Sequence, residues 1–427
     1  VALQLPNSLR ALRSPNFRRY YIGQTVSMIG TWIQSVALMW LAYRLSGSTW
    51  FTGLIGFLSS APHLFLAPFA GVLGDRVSRR KLLITVLSLM ALNSAILAVL
   101  SGLHLITMAQ LATIALFNGV CNAFETPTRQ SIFVQLLDKR EDLPNAIALN
   151  SMLMNGTRLI GPSIGGVLIA AFSETVCFAV NAISYIAVVA ALVGLTVIPR
   201  PKRAPSHPLH DLAEGWHYAM GMLPVRRMLL TLAAVSFSIS PYATLMPAIA
   251  VKTFSQGAAL VGLFIGAVGL GAFIAAVGLA RRPTVRGLGK WIGIAAIVAG
   301  VGAVGFGFSR WVWLSCLLLM MEGWGMFMTG ATCNTILQTL VDEDKRSRVM
   351  SYYTMFFVGV APIGHYLGGW VAEHIGAPLT FVVGGVIALI TGALFLAQMK
   401  TFRSHLRKVY VRRGIIPSLE DTRIANP

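Results

Sequence analysis

Apolar runs of about twenty residues, the length that crosses a bilayer core, recur along this chain almost from end to end. Its charges fall in the short links between those runs. A soluble domain carries roughly one quarter charged residues. Here 11% are charged and 56% hydrophobic over 427 residues, with a mean hydropathy of +0.71. There are too few charges to clothe a water-facing surface, and the chain reads as an all-α polytopic membrane protein. Its net charge of +19 could suggest nucleic acid as a partner. The cations sit in links and not on one solvated face, so no nucleic-acid partner is expected.

Twelve transmembrane helices are predicted, near 18–44, 50–74, 80–101, 105–135, 145–172, 175–198, 228–251, 258–280, 288–308, 311–340, 348–372 and 376–399. A Pro-rich, charged stretch at 199–227 breaks the rhythm, and its second half suits a helix lying on the membrane surface. The expected organisation is a cytoplasmic N-terminal segment (1–17), a six-helix bundle (18–198), the cytoplasmic linker (199–227), a second six-helix bundle (228–399) and a basic cytoplasmic tail (400–427). The start of the chain lacks a signal-peptide layout, because its first long apolar run is itself of spanning length. With the N-terminus cytoplasmic, 29 of the 34 Lys and Arg fall inside. Only Arg44, Lys252 and Arg310 fall outside, and Arg129 and Arg158 lie within spans. The positive-inside rule then puts both termini in the cytoplasm, with the basic links facing anionic lipid.

The halves echo one another. "LDKREDLP" joins the fourth and fifth spans and "VDEDKRSR" the tenth and eleventh, while the fifth continues into "GPSIGG" and the eleventh into "APIGHYLGG". Two parallel six-span repeats with a site between them are a recurring transporter design. Cys121, Cys177, Cys316 and Cys333 all lie in apolar runs without a C-x-x-C, and read as small buried hydrophobes, not as a metal or disulfide framework. No catalytic motif, metal cage or cofactor site is visible, so an enzyme is not expected.

One knot of charge stands out. "GVLGDRVSRRK" at 71–81 has five charged residues among the seven from Asp75 to Lys81. Gly71, Gly74, Asp75, Arg76, Arg79 and Arg80, between the second and third spans, resemble the signature loop of the major facilitator superfamily, with Ser78 where that family usually has Gly. The stretch with Gly156, Gly161, Pro162, Gly165 and Gly166 resembles a motif of the family's proton-exchanging exporters. "NFRRYYIGQTVSMIGTWIQSVALMWLAYRLSGS", "PTRQSIFVQLL" and "NAIALNSMLMNGTRLIGPSIGG" resemble the branch that contains enterobactin exporters and transmembrane secretion effectors. The resemblance implies two pseudo-symmetric bundles working by alternating access, in a chain that is a monomer of the inner membrane. It also implies that Asp75 latches the cytoplasmic gate at the N-terminal end of the eleventh span, favourable there for an acid, and that the fifth span packs on the eighth. Without the family, the knot is a topology signal and the glycines four apart allow ordinary close helix packing.

Of fifteen acids, thirteen lie in links, tails or span ends, leaving Glu125 in the fourth span and Glu322 in the tenth. An ionised group near mid-bilayer costs at least a few kcal/mol unless paired or hydrated. Glu322 is therefore the first candidate for carrying a coupled proton, with a structural ion pair to Arg158 as the other reading. Glu125 is the second candidate. It stands four residues before Arg129, the favourable order for a helical ion pair, and that pair could serve structure or the substrate path. Arg158, Arg129, Trp32, Gln34, Tyr242, Trp324, Asn334 and Gln338 are the candidate linings of a substrate cavity, helped by the methionines around Glu322, whose flexible side chains can repack around varied ligands. His63 and His365 read as packing histidines. The expected function is secondary export of an amphipathic small molecule, first of all a siderophore-like metabolite, against protons. Multidrug or lysophospholipid transport is the alternative within the class, and a non-transporting membrane sensor or scaffold the alternative outside it.

Overall fold

The structure is a computed structural model and describes residues 6–133, 136–194, 216–282, 285 and 287–412, excepting the side chains of 7, 8, 67–76, 133, 140, 344, 347, 407–410 and 412. Its helices account for all twelve spans. The first six are Pro15–Ser46, Thr49–Arg76, Arg79–Gly102, Met108–Phe133, Leu143–Ala171 and Glu174–Val193. The second six are Leu223–Lys252, Ala258–Ala280, Leu288–Phe308, Val312–Leu340, Arg348–Ile375 and Ala377–Ala397. Among the described residues, nine of these segments are long and apolar enough to cross a membrane on composition alone. The second, fourth and fifth complete the set through their packing.

Helix pairing repeats between the halves. Spans two and four, three and six, one and six, one and five, and three and four pack together. Their counterparts eight and ten, nine and twelve, seven and twelve, seven and eleven, and nine and ten do the same. The two most extensive contacts between the bundles, five with eight and two with eleven, are counterparts as well. The repetition extends to the links. Arg10 donates to the Glu141 carbonyl at 2.9 Å and pairs with Asp142 at 3.3 Å, fastening the segment before span one to the four–five link. In the other half, the Tyr218 hydroxyl donates to Asp342 at 3.3 Å and Lys345 lies 4.9 Å over the Tyr218 ring, fastening the helical turn at 216–221 to the ten–eleven link. Residues 195–215, most of the linker expected at 199–227, lie outside the described residues.

Both fastened segments and the final helix Met399–Arg412 lie on one face, called here the termini face. Two prolines bend the second bundle. Pro241 interrupts span seven between Leu223–Ile239 and Tyr242–Lys252. Pro362 follows a π-helical turn at Met355–Gly359 in span eleven. Proline lacks an N–H and crowds the carbonyl four residues back, so each forces the preceding turn to open. The freed Phe357 carbonyl accepts the Ser236 hydroxyl from span seven.

The bundles touch through backbone on the face opposite the termini. A Cβ at Gly262 would lie 2.5 Å from the Pro162 carbonyl oxygen and 2.8 Å from the Gly166 Cα, and one at Gly53 would lie 2.5 Å from the His365 carbonyl oxygen and 2.9 Å from the Gly369 Cα. Gly161 and Gly165 face elsewhere, onto Trp32 and Ile33 of span one. The exporter-like motif thus divides its work, with Gly166 and the Pro162 carbonyl meeting the other bundle. Gly262→Ala should lower the apparent melting temperature of the purified protein by the equivalent of about 1–3 kcal/mol, the usual cost of overpacking. Gly156→Ala, whose Cβ would meet nothing within 4 Å, should not lower it in the same thermal-shift assay and should raise it slightly, by the helix preference of Ala over Gly.

Candidate transport cavity

On the termini face the helices that meet at the opposite face diverge. A cavity of about 450 Å³ opens between span five and the second bundle. Its floor is set by Arg158 of span five, Val268 of span eight and Gly323 of span ten. Met326, Phe327, Asn334 and Thr335 of span ten, Tyr353 and Phe357 of span eleven and Ser151 of span five form the walls toward the termini face. At 1.5 Å rise per residue, the seven positions from Ser151 to Arg158 span roughly 10 Å of depth.

Arg158 is the one cation lining this cavity among the described residues. Its guanidinium stacks over the Trp32 ring at 5.5 Å from the centroid, and its Nε is buried without a hydrogen-bond partner among the described residues. Cation–π contact supplies part of the stabilisation that water gave and leaves N–H donors for a ligand. Trp32 enters the site through this stacking. Asn334 lines the wall and accepts a hydrogen bond from the exposed Gln338, which sits nearer the termini face. The Tyr353 hydroxyl donates to the Gly330 carbonyl at 3.2 Å, bracing span eleven on span ten beside the π turn.

Other candidates lie away from the cavity. Gln34 is buried in the first bundle, where its Oε1 accepts from Ser94 at 2.7 Å and from Asn181 Nδ2 at 2.8 Å. It ties spans one, three and six together and is not part of the cavity lining. Trp324 turns to span nine, 6.0 Å from the Trp291 ring. Both corrections have one cause, because a helix in the membrane interior is apolar all round and sequence alone leaves its phase open. Glu125 and Arg129 form an ion pair at 2.7 Å, buried in span four toward the termini face, and Thr126 donates to the second carboxylate oxygen at 3.2 Å. Of the knot, Arg80 donates to the Leu192 carbonyl at 2.9 Å and to that of Val193, neutralising the C-terminal end of span six. Arg79 opens span three beside it. The backbone of Gly71, Asp75 and Arg76 is helical, but their side chains, and with them the expected Asp75 latch, lie outside the described residues.

Glu322 is 1% exposed and faces away from the cavity. It borders a separate void of about 10 Å³, on the order of one water, inside the second bundle with Ser238, Tyr242 and Thr380. Neither carboxylate oxygen has a hydrogen-bond partner among the described residues. The ion pair to Arg158 weighed from sequence does not form, because the two side chains leave their helices into different compartments. Tyr242, expected in the cavity, lines this void instead. On the far side of the span-seven bend, His365 is half-buried with Nε2 at 3.4 Å from the Ser240 hydroxyl.

Two bundles of six helices with a cavity between them, open at one face and sealed at the other, define a major facilitator superfamily transporter. The chain matches the transmembrane secretion effector family over residues 7–409 and belongs to it. It is a multi-pass membrane transporter and not an enzyme. It is 26% identical over 383 residues, 88% of this chain and 94% of the relative, to the staphyloferrin A transporter of Staphylococcus aureus (strain NCTC 8325 / PS 47). It is 24% identical to the enterobactin exporter EntS of Citrobacter koseri (strain ATCC BAA-895 / CDC 4225-83 / SGSC4696), covering 91% of this chain and 94% of that one. Among solved structures, the POT family transporter PepTSo shares the fold at a TM-score of 0.72 and 11% identity, covering 92% of this chain and 99% of the other. A bacterial homologue of the lysosomal transporter Spinster does so at 0.65 and 15%, covering 92% and 98%.

The division between cavity and bundle interior is measurable. With the four native cysteines replaced by serine, Asn334→Cys should react with a water-soluble maleimide at least about tenfold faster than Ser94→Cys, since thiol reactivity follows access. Equal rates would place the Gln34 surroundings in open water.

Proposed function

We propose that this protein exports an amphipathic, anionic, siderophore-like small molecule from the cytoplasm by alternating access, in exchange for protons. The observation that carries the reading is the cavity itself. It is of ligand size, open to the termini face, closed opposite, and lined by aromatic and Met side chains around Arg158, whose side chain has N–H donors to offer an acidic group. The similarity to a staphyloferrin A transporter and to an enterobactin exporter supports the siderophore class. The excess of Lys and Arg in the links makes the termini face cytoplasmic, where the basic links and final helix meet anionic lipid. The described opening is then the state that loads substrate from inside the cell. The protein works as a monomer of the inner membrane, since one chain supplies both bundles and the cavity.

In this reading Arg158 and Asn334 hold the substrate, Tyr353 and Phe357 wall it, and the Glu125–Arg129 pair stands at the entrance side. Glu322 carries the proton from its own compartment, with Glu125 as the second carboxyl in reach of the cytoplasm. An unpaired carboxyl in a bundle interior is costly and gains little as structure, which favours a working role.

The test is comparative mass spectrometry of the medium under iron limitation. It uses source cells lacking the protein and cells restored with the natural sequence, Glu322→Gln or Arg158→Gln, with membrane levels matched by immunoblot. A metabolite lost from the medium should return with the natural protein. It should stay at least about tenfold lower with Arg158→Gln, the loss expected when a charged contact worth 1.4 kcal/mol or more is removed, and low with Glu322→Gln because a Gln cannot carry the proton. Full recovery with Glu322→Gln would remove the proton role from that residue. An unchanged medium in the deleted cells would overturn export of such a metabolite.

A further inference from the structure

The seal at the face opposite the termini has a polar component beside its glycines. Span two begins there, with Ser48 as its cap: the Ser48 hydroxyl accepts from the Phe51 N–H at 3.3 Å. The first turn of a helix leaves further N–H groups without intrahelical partners. In this chain they are met by a carboxylate from the other bundle. Glu373, near the end of span eleven, accepts on one oxygen from the Thr49 N–H at 2.7 Å and the Trp50 N–H at 3.2 Å. The same oxygen accepts from the Thr49 hydroxyl at 2.9 Å and the Ser48 hydroxyl at 3.0 Å. The Thr49 hydroxyl also lies 3.1 Å from the Gly369 carbonyl, one turn back along span eleven.

No cation pairs with Glu373 among the described residues. Arg44, a basic residue of the opposite face, pairs with Glu174, and both belong to the first bundle. The carboxylate is held by hydroxyls and by the positive end of the span-two helix. All of these belong to the partner bundle, so the contact exists only while this face is closed. The adjoining Gly53 and Gly369 backbones leave no slack, since a Cβ at Gly369 would lie 2.6 Å from the Thr49 carbonyl oxygen.

We propose that Glu373 is the latch of the opposite-face gate. Its carboxylate, bound to the Ser48–Trp50 turn, holds spans eleven and two together while the cavity faces the termini, and its release is a step of the switch to the other opening. The proposal rests on the alternating-access reading. It assigns a gating role to a residue that touches neither the cavity nor the Glu322 void. The geometry is the counterpart, at the opposite end of the same two helices, of the arrangement that the family resemblance implies for Asp75. There the acid would end span two and the turn would begin span eleven, whereas here the acid ends span eleven and the turn begins span two.

Spin labels at Leu105→Cys and Trp311→Cys, both exposed and on opposite-face links of different bundles, report the separation of those ends by pulsed electron resonance. The measurement uses the full chain in lipid nanodiscs, with its native cysteines replaced. The parent should show a major short and a minor long distance. In Glu373→Gln, losing the charged acceptor should raise the ratio of long to short about tenfold, in line with the gap between charged and neutral hydrogen bonds. Thr49→Val should shift it the same way, and the double variant should shift it no further than Glu373→Gln alone. Glu174→Gln, which breaks an opposite-face ion pair within one bundle, should leave the ratio unchanged. A parent with two populations and an unchanged ratio in both Glu373→Gln and Thr49→Val would overturn the latch and leave alternation standing. If Glu373→Gln does not fold, Thr49→Val alone decides. A single distance in the parent and every variant would overturn alternation, and the latch with it.

Discussion

The approach of backbone to backbone at one face is the constraint from which the other features of this transporter follow. Two six-helix bundles in lipid gain nothing from the hydrophobic effect by touching each other, because lipid tails are as apolar as the side chains they replace. Their cohesion has to come from dispersion contact and from polar groups that only the other bundle can satisfy. Gly166 against Gly262 and Gly53 against Gly369 provide the first. The Glu373 carboxylate on the start of span two provides the second. Because these contacts are concentrated toward one end of spans two, five, eight and eleven, the same helices diverge at the other end, and the divergence is the cavity.

The interior charges sort by how their cost is met. Glu125 and Arg129 neutralise one another, and removing either would strand the other, typically a loss of 3–5 kcal/mol. Glu174 is met by Arg44 near the edge of the membrane. Arg158 is met only in part, by an indole face. Glu322 is met by nothing among the described residues. Stability alone would favour replacing such groups with apolar ones. The two least satisfied charges are therefore the two whose retention most needs a working explanation, and they sit in separate compartments.

The architecture was legible in the sequence because hydropathy and link charge are one-dimensional signals. Twelve spans and the six-plus-six division came from run length and basic links, and the packing of the fifth span on the eighth from the family resemblance. Direction around a helix axis is a two-dimensional property, and there the signal thinned. Gln34 and Trp324 are expected at a cavity because they are polar or aromatic in a span, yet Gln34 turns into its own bundle and Trp324 to the Trp291 ring of span nine. A buried Gln bonded by Ser94 and Asn181 looks the same in one dimension as a Gln facing substrate. Spacing alone could have raised Pro362 as a bend, but not the π turn before it. Glu373 was set aside among acids at span ends, since nothing within its own span reveals that a helix of the other bundle begins beside it.

The placement of Glu322 bears on how protons and substrate would be coupled in the proposed cycle. A carboxyl sharing the cavity with Arg158 could exchange proton for substrate by direct competition at one site. Glu322 instead faces Ser238 and Tyr242, which flank the bend of span seven, while His365 touches Ser240 at that same bend from span eleven. Proton and substrate would then communicate through the bundle, each favouring one opening over the other. In such a scheme the coupling is no larger than the difference in affinity that each ligand has for the two states. Span seven is suited to transmit it, because Pro241 has already broken the hydrogen-bond ladder that would resist bending. Span eleven is suited to receive it, because the His365 backbone lies against Gly53 in the seal two turns from Glu373. Glu322 shares its void with the span-seven bend, the bend meets span eleven at His365, and this route lies apart from the substrate cavity.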